Sequence, residues 1–164
     1  MTLRRATPAD AATLADIQVR TWLFTYSEYV DPERILETAE GRDERWSEIL
    51  ARDPRTIVAE AGGQIGGFVS WGDARDSDVG DGVGELFAIY VAPEAQGAGV
   101  GTALHAAVID ELRADGHREA TLWVFERNAH ARDFYERSGW TPDTGPYDAM
   151  RWNWAPSVRY RRGL

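Results

Sequence analysis

The spacing of apolar positions changes several times along the chain, and each change marks an element. Residues 2–6 read as a short strand. Thr7-Pro8-Ala9-Asp10 then has the makings of a helix start: threonine as N-cap, proline at the first helical position, aspartate three residues after the cap. Leu14, Ile17 and Thr21-Trp22 keep one helical face. Asp31-Pro32 repeats the cap-plus-proline signal, and a further helix surrounds Trp46, Ile49 and Leu50 until Asp53-Pro54 stops it. Residues 56–61, Gly62-Gly63 and residues 65–71 predict a hairpin. An acidic, flexible loop is expected over 72–84, followed by a strong strand over 85–91.

The second half repeats a strand–helix rhythm. A glycine-rich turn at 97–101 feeds a helix with Val100, Leu104, Val108 and Leu112 on one side, and Gly116 is its expected C′ residue. Residues 121–125 predict a strand, and 128–138 a helix ended by Gly139. Alternation at Met150, Trp152 and Trp154, and again at Val158 and Tyr160, reads as a final hairpin. The order of strand, helices, hairpin meander and strand–helix–strand–helix–strand makes a mixed α/β fold, expected to be a single domain over 1–164.

Composition removes more classes than it suggests. The 164 residues include no cysteine, which excludes disulfides, thiolate metal sites and an acyl-cysteine mechanism. All 18 basic residues are arginine, so a Walker lysine, a Schiff-base lysine and a kinase lysine are missing too. The formal net charge of -9 disfavours nucleic acid and suits a cationic small molecule or peptide. No apolar run approaches the ~20 residues of a membrane span, and no signal peptide is visible, so the expectation is a cytoplasmic protein with no membrane partner. His105, His117 and His130 lack metal-ligand spacing, and no G-x-S-x-G elbow occurs, so no metal and no serine nucleophile are expected.

The candidate chemistry lies in Gln96-Gly97-Ala98-Gly99-Val100-Gly101, between a strand and a helix. Glycines let a ligand approach the backbone, and the first amides of a helix lack partners and attract phosphate. A dinucleotide fold is the rival reading. Thr102 stands where a third glycine or alanine belongs, and Pro93-Glu94-Ala95-Gln96 separates strand from glycines, where that fold turns directly.

The stretch from Ile89 through Gly101, with Gln96, Gly99 and Gly101 as Q-x-x-G-x-G, resembles the signature of the GNAT superfamily of acyl-CoA N-acetyltransferases. Residues 3–10 are similar to its usual opening, and 128–140, Asn-Ala-His-Ala-Arg-Asp-Phe-Tyr-Glu-Arg-Ser-Gly-Trp, to its asparagine-to-tyrosine helix. The resemblance implies a three-layer α/β fold around a mixed, mostly antiparallel sheet whose strands 4 and 5 run parallel and splay apart. It implies acetyl-CoA as acyl donor, its arm along Ala88, Ile89, Tyr90 and Val91, its pyrophosphate on Gln96, Gly97, Ala98, Gly99, Val100 and Gly101, and Asn128 on the cofactor arm. By the same pattern Tyr135 is the general acid for the thiolate, and Glu85 a base acting through water. Trp22, Tyr26 and Glu28 fall in the region that walls the acceptor site, where aromatics and acids suit an ammonium. Asp73, Asp76, Asp78 and Asp81 lie in the loop before strand 4 and are further candidates to face it. The expected partner is a small-molecule or peptide amine, with a homodimer admitted as the assembly. A catalytically silent acyl-CoA-binding or sensing domain is the alternative.

Overall fold

The computed structural model describes residues 1–145 and 156–164. Met150, Trp152 and Trp154 of the expected hairpin lie outside them. The chain forms two compact units, Met1–Ser70 with Ala88–Val108, and Trp71–Phe87 with Ile109–Leu164.

The first unit opens with β1 (Thr2–Arg5) and a 3-10 turn (Pro8–Asp10), then α1 (Ala11–Tyr26), α2 (Pro32–Ala39) and α3 (Arg42–Arg52). The first helix start is fixed by Asp10. Its carboxylate accepts from the Thr7 backbone N–H at 2.8 Å and from both terminal nitrogens of Arg4 at 2.8 and 2.9 Å. Asp31 caps α2 by accepting from the Glu33 N–H at 3.0 Å. β2 (Thr56–Ala61) and β3 (Gln64–Asp73) form the expected hairpin, turned by Gly62 and Gly63 at φ 59° and 77°, the left-handed region that glycine enters without a Cβ penalty. β1, β2 and β3 pair antiparallel in that order. Leu14, Ile17, Trp46, Leu50, Val58 and Phe68 close one core between helices and strands.

In the second unit, the first five residues of β4 (Val83–Val91) run beside β5 (Glu119–Phe125), pairing parallel from Val83↔Glu119 to Leu86↔Leu122. β7 (Ser157–Gly163) runs antiparallel to β5, and β6 (Thr141–Pro142) antiparallel to β7. α4 (Val100–Ala114) and α5 (Ala129–Arg137) both end in Schellman turns. At α4, His117 N–H reaches Leu112 O and Gly116 N–H reaches Arg113 O; at α5, Trp140 N–H reaches Tyr135 O and Gly139 N–H reaches Glu136 O. Gly116 and Gly139 carry the positive φ, 88° and 85°, that this turn requires.

Two sequence expectations change. The acidic stretch 72–84 is shorter than expected, because β3 continues to Asp73 and β4 starts at Val83. It is also tied down rather than loose, through Asp76 and Asp78 (below). Asn128 stands outside α5 as its N-cap, with its side chain accepting from the Ala131 N–H at 3.0 Å. The helix expected over 128–138 therefore begins one residue later, at Ala129.

Candidate functional site

The first unit assembles the glycine turn and the end of β4. Gln96, Gly97, Ala98 and Gly99 are exposed, and α4 starts at Val100 inside the motif. Gly97 and Gly99 take φ 77° and 79°, with open space where a Cβ would stand. Ala103 N–H already bonds to Gly99 O, the first bond of the helix. Among the described residues, the N–H groups of 97–102 donate no well-formed hydrogen bond to a protein acceptor, and the turn at 96–99 closes only through weaker contacts. They form an unclaimed row of donors at the positive end of a 15-residue helix. The Gln96 side chain reaches back to Val91 O at 3.4 Å, joining the turn to the strand. Gly67 on β3 allows the close approach behind it, since a Cβ there would stand 2.7 Å from Tyr90 O and 3.0 Å from Val100 Cγ1.

Around Tyr90 the same unit builds a polar cluster inside an aromatic wall. The Tyr90 hydroxyl accepts from Trp22 Nε1 at 2.9 Å and from Gln18 Nε2 at 3.4 Å, and Gln18 Oε1 accepts from Trp46 Nε1 at 2.8 Å. Burial pushes the Tyr90 phenol up from its ordinary value. Trp22 and Tyr90 meet edge to face with centroids 6.4 Å apart. The Arg42 guanidinium lies 4.8 Å from the Trp22 ring centroid. Trp22 and Tyr26 are buried, whereas Glu28 is exposed in the turn after α1.

The second unit holds the remaining predicted residues. Glu85, 1% exposed, is gripped by Arg75: Oε1 by Nη2 at 2.7 Å, and Oε2 by Nε at 3.2 Å and the backbone N–H at 3.0 Å. Tyr135 is buried at the C-terminal end of α5. Its ring packs edge-on against Phe134 and, at 6.2 Å, against Trp140, the residue that closes the Schellman turn on the Tyr135 carbonyl. That contact fixes the aromatic ring by the same turn that ends the helix.

Arg159, buried at 1% exposure, gathers the acidic loop. It donates to Asp76 at 3.2 Å, to both oxygens of Asp78 at 2.8 and 2.6 Å, and to Asp143 at 2.8 Å, while Trp123 Nε1 adds a bond to Asp76 at 2.8 Å. Asp73 lies 3.5 Å from His117 Nε2. Asp76 and Asp78 are thus committed to the protein itself, and an open field of aspartates is not what the loop presents.

The first unit therefore contains Ala88, Ile89, Tyr90, Val91, residues 96–101, Trp22, Tyr26 and Glu28, and the second holds Glu85, Asn128 and Tyr135. Sequence reasoning missed Gln18, Arg42, Arg75 and Arg159. Gln18 carried a signal, a polar residue one turn before Trp22 on a buried face; the arginines carried none. Among the described residues no cluster of His, Cys, Asp and Glu could hold a metal ion, and no helix is long and apolar enough to cross a membrane.

A family model for the acetyltransferase (GNAT) family matches residues 13–140. The uncharacterized N-acetyltransferase YuaI of Bacillus subtilis is 31% identical over 130 residues, 78% of this chain and 73% of that protein. The mycothiol acetyltransferase of Beutenbergia cavernae is 48% identical over 59 residues, 36% of this chain but only 20% of that longer protein. Among solved structures, PaiA N-acetyltransferase from Thermoplasma acidophilum, in complex with coenzyme A, shares the fold at a TM-score of 0.83 and 18% identity, over 99% of this chain and 98% of that one. The protein yncA from Salmonella typhimurium, with its cofactor acetyl-CoA, gives a TM-score of 0.74 at 26% identity, over 99% of this chain and 93% of that one.

Proposed function

We propose that this chain, which belongs to the GNAT acetyltransferase family, transfers an acetyl group from acetyl-CoA to an amine by direct attack. The observation that carries the reading is the row of unclaimed N–H groups at 97–102, on an exposed turn heading α4. Such a row grips a pyrophosphate without a lysine, and this chain has none. The solved relatives that hold coenzyme A or acetyl-CoA support the same donor.

Acetyl-CoA supplies the acetyl group as a thioester. Residues 96–101 would hold its pyrophosphate, the backbone of Ala88, Ile89, Tyr90 and Val91 its arm, and Asn128 would contact that arm through its amide N–H₂, since its oxygen caps α5. N–H groups near Ile89 to Val91 would polarise the thioester carbonyl. As the amine nitrogen bonds to the carbonyl carbon and the carbon–sulfur bond breaks, Tyr135 would give its proton to the departing sulfur. Glu85 would take the amine's proton through water, which requires Arg75 to release one of the carboxylate oxygens it now holds. With no cysteine, nothing in the chain supports an acyl-thioester enzyme. The amine acceptor would be a cationic small molecule or peptide, drawn by the net charge of -9 and walled by Trp22, Tyr26 and Glu28, in the cytoplasm where the donor is plentiful.

Thermal melting with and without coenzyme A tests the donor assignment. Ligand bound to the native state raises Tm, by about 2.7 kcal/mol of linkage at a hundredfold excess over Kd. Gly101→Val should remove that shift. A Cβ at Gly101 meets only Val91 Cγ2, at 3.7 Å, so the fold accepts the added Cβ, and valine's branched methyls add bulk beside the donor row. A full coenzyme A shift in that variant would refute the pyrophosphate assignment.

A further inference from the structure

We propose that Arg42 reads an anionic group on the acceptor, so that the amine acetylated here also carries a carboxylate. The inference rests on the acetyltransferase reading and narrows it from cationic amines in general to amines of amino-acid type.

Arg42 breaks several local rules at once, which marks functional positions. It is the first residue of α3, at the helix end where the macrodipole disfavours a cation. Burial, and then the charge of Arg45, lower its pKa. Among the described residues it pairs with no carboxylate, in a protein with 27 acidic residues against 18 basic ones. One terminal nitrogen of Arg42 donates to Thr38 O at 2.8 Å, and its buried Nε–H has no partner. Such a group has every reason to be replaced by something neutral unless an anion completes it.

A second unfilled demand lies across the Trp22 ring. The Tyr90 hydroxyl accepts two hydrogen bonds, from Trp22 and Gln18, and its own proton finds no acceptor among the described residues, since Gln18 offers it an N–H and turns its oxygen to Trp46. Both groups adjoin Trp22, the guanidinium 4.8 Å from its ring centroid and the hydroxyl 2.9 Å from its Nε1. A guanidinium without a counter-ion and a phenol with a proton to give, both touching Trp22, are complementary to a carboxylate. The guanidinium fork supplies paired N–H donors and the phenol a third. The overall negative charge then draws the amine end, and Arg42 fixes the acid end.

The test compares an α-amino acid with its carboxamide, its decarboxylated amine and a phosphate-bearing amine, at equal concentrations of free amine and saturating acetyl-CoA. Wild type should favour the carboxylate member by about tenfold or more in kcat/KM, mainly through KM. Arg42→Gln should bring the ratio of carboxylate to carboxamide near one, and Arg42→Lys should keep part of it, which a purely structural arginine would not predict. An independent readout needs no turnover: an N-acetyl amino acid should raise the Tm of the wild type bound to coenzyme A, and not that of Arg42→Gln. Equal use of acid and amide by wild type, an unchanged ratio in Arg42→Gln, or a preference for the phosphate would overturn the proposal. If amines are acetylated regardless of the carboxylate, the Arg42 proposal alone falls. If no amine is acetylated but the N-acetyl amino acid shift is present and lost in Arg42→Gln, the Arg42 site stands and the transferase reading falls.

Discussion

Replacing Gly67 by alanine adds one methyl group behind the end of β4. The new Cβ would stand 2.7 Å from Tyr90 O, 3.0 Å from Val100 Cγ1 and 3.3 Å from Leu104 Cδ1. The first distance is short of contact by roughly half an ångström or more, and the atom it meets is a strand carbonyl that cannot swing aside. Relief requires β3, the end of β4 and the first turn of α4 to separate. Gly67 has no positive φ, so the cost is overpacking and not backbone strain. Overpacking of this kind costs about 1–3 kcal/mol. For a chain of this length that lowers Tm by about 2–4 °C per kcal/mol, hence roughly 2–12 °C. The strand end and helix start that move are those assigned to the donor, so coenzyme A affinity should fall as well. Gly80→Ala is the control, with ordinary φ and no atom within 4 Å of the added Cβ. Scanning calorimetry and coenzyme A titration on both variants check this. A Gly67→Ala protein that melts within about 1 °C of wild type and binds coenzyme A equally would refute the packing argument.

Other expectations follow from single residues. Hydrogen bonds from Arg4, and then from Thr7, hold the Asp10 carboxyl down at about 2 from 3.8. A depressed acid stabilises the fold fully above its unfolded pKa and loses that contribution as pH falls through the folded one. Asp10→Asn should therefore cost about 1–2 kcal/mol at pH 7, discounted for the partly exposed Arg4, and the gap to wild type should close between pH 4 and 2 in urea titrations. Arg159→Met removes the cation shared by Asp76, Asp78 and Asp143 and should cost about 3–5 kcal/mol by the same assay, with little recovery in Arg159→Lys because one ammonium cannot serve three carboxylates. Tyr135→Phe keeps the ring packed on Trp140 and should lower kcat by ~10²–10⁴-fold in steady-state assays while coenzyme A affinity holds; turnover within about twofold of wild type would remove Tyr135 as the acid.

What the sequence made legible was local. Pro8, Asp31-Pro32, Gly62-Gly63, Gly116 and Gly139 act through the backbone of their own few residues, and each stands at the boundary it predicts. The glycine turn was legible for the same reason. The shift of Asn128 from helix to cap is the kind of one-residue error that only capping geometry resolves. What escaped was long-range charge pairing. Arg159 meets Asp78 across 81 residues of chain, and this turned a loop expected to be flexible into one that is held. Glu85 read as a strand-end acid, but its partner Arg75 comes from the preceding connection, whose course no periodicity encodes. Arg42 carried no signal in the sequence; its significance lies in the acid that is not beside it.

The central claim is direct acetyl transfer to an amine, and the measurement closest to it is coenzyme A release by thiol detection, paired with mass analysis of the acceptor and of the intact protein. With an amine present, the account predicts that each coenzyme A released is matched by one acetylated amine, and that the protein mass stays unchanged before the amine is added. Coenzyme A bound tightly with no amine acetylated, or a protein that gains a competent acetyl group first, would contradict it.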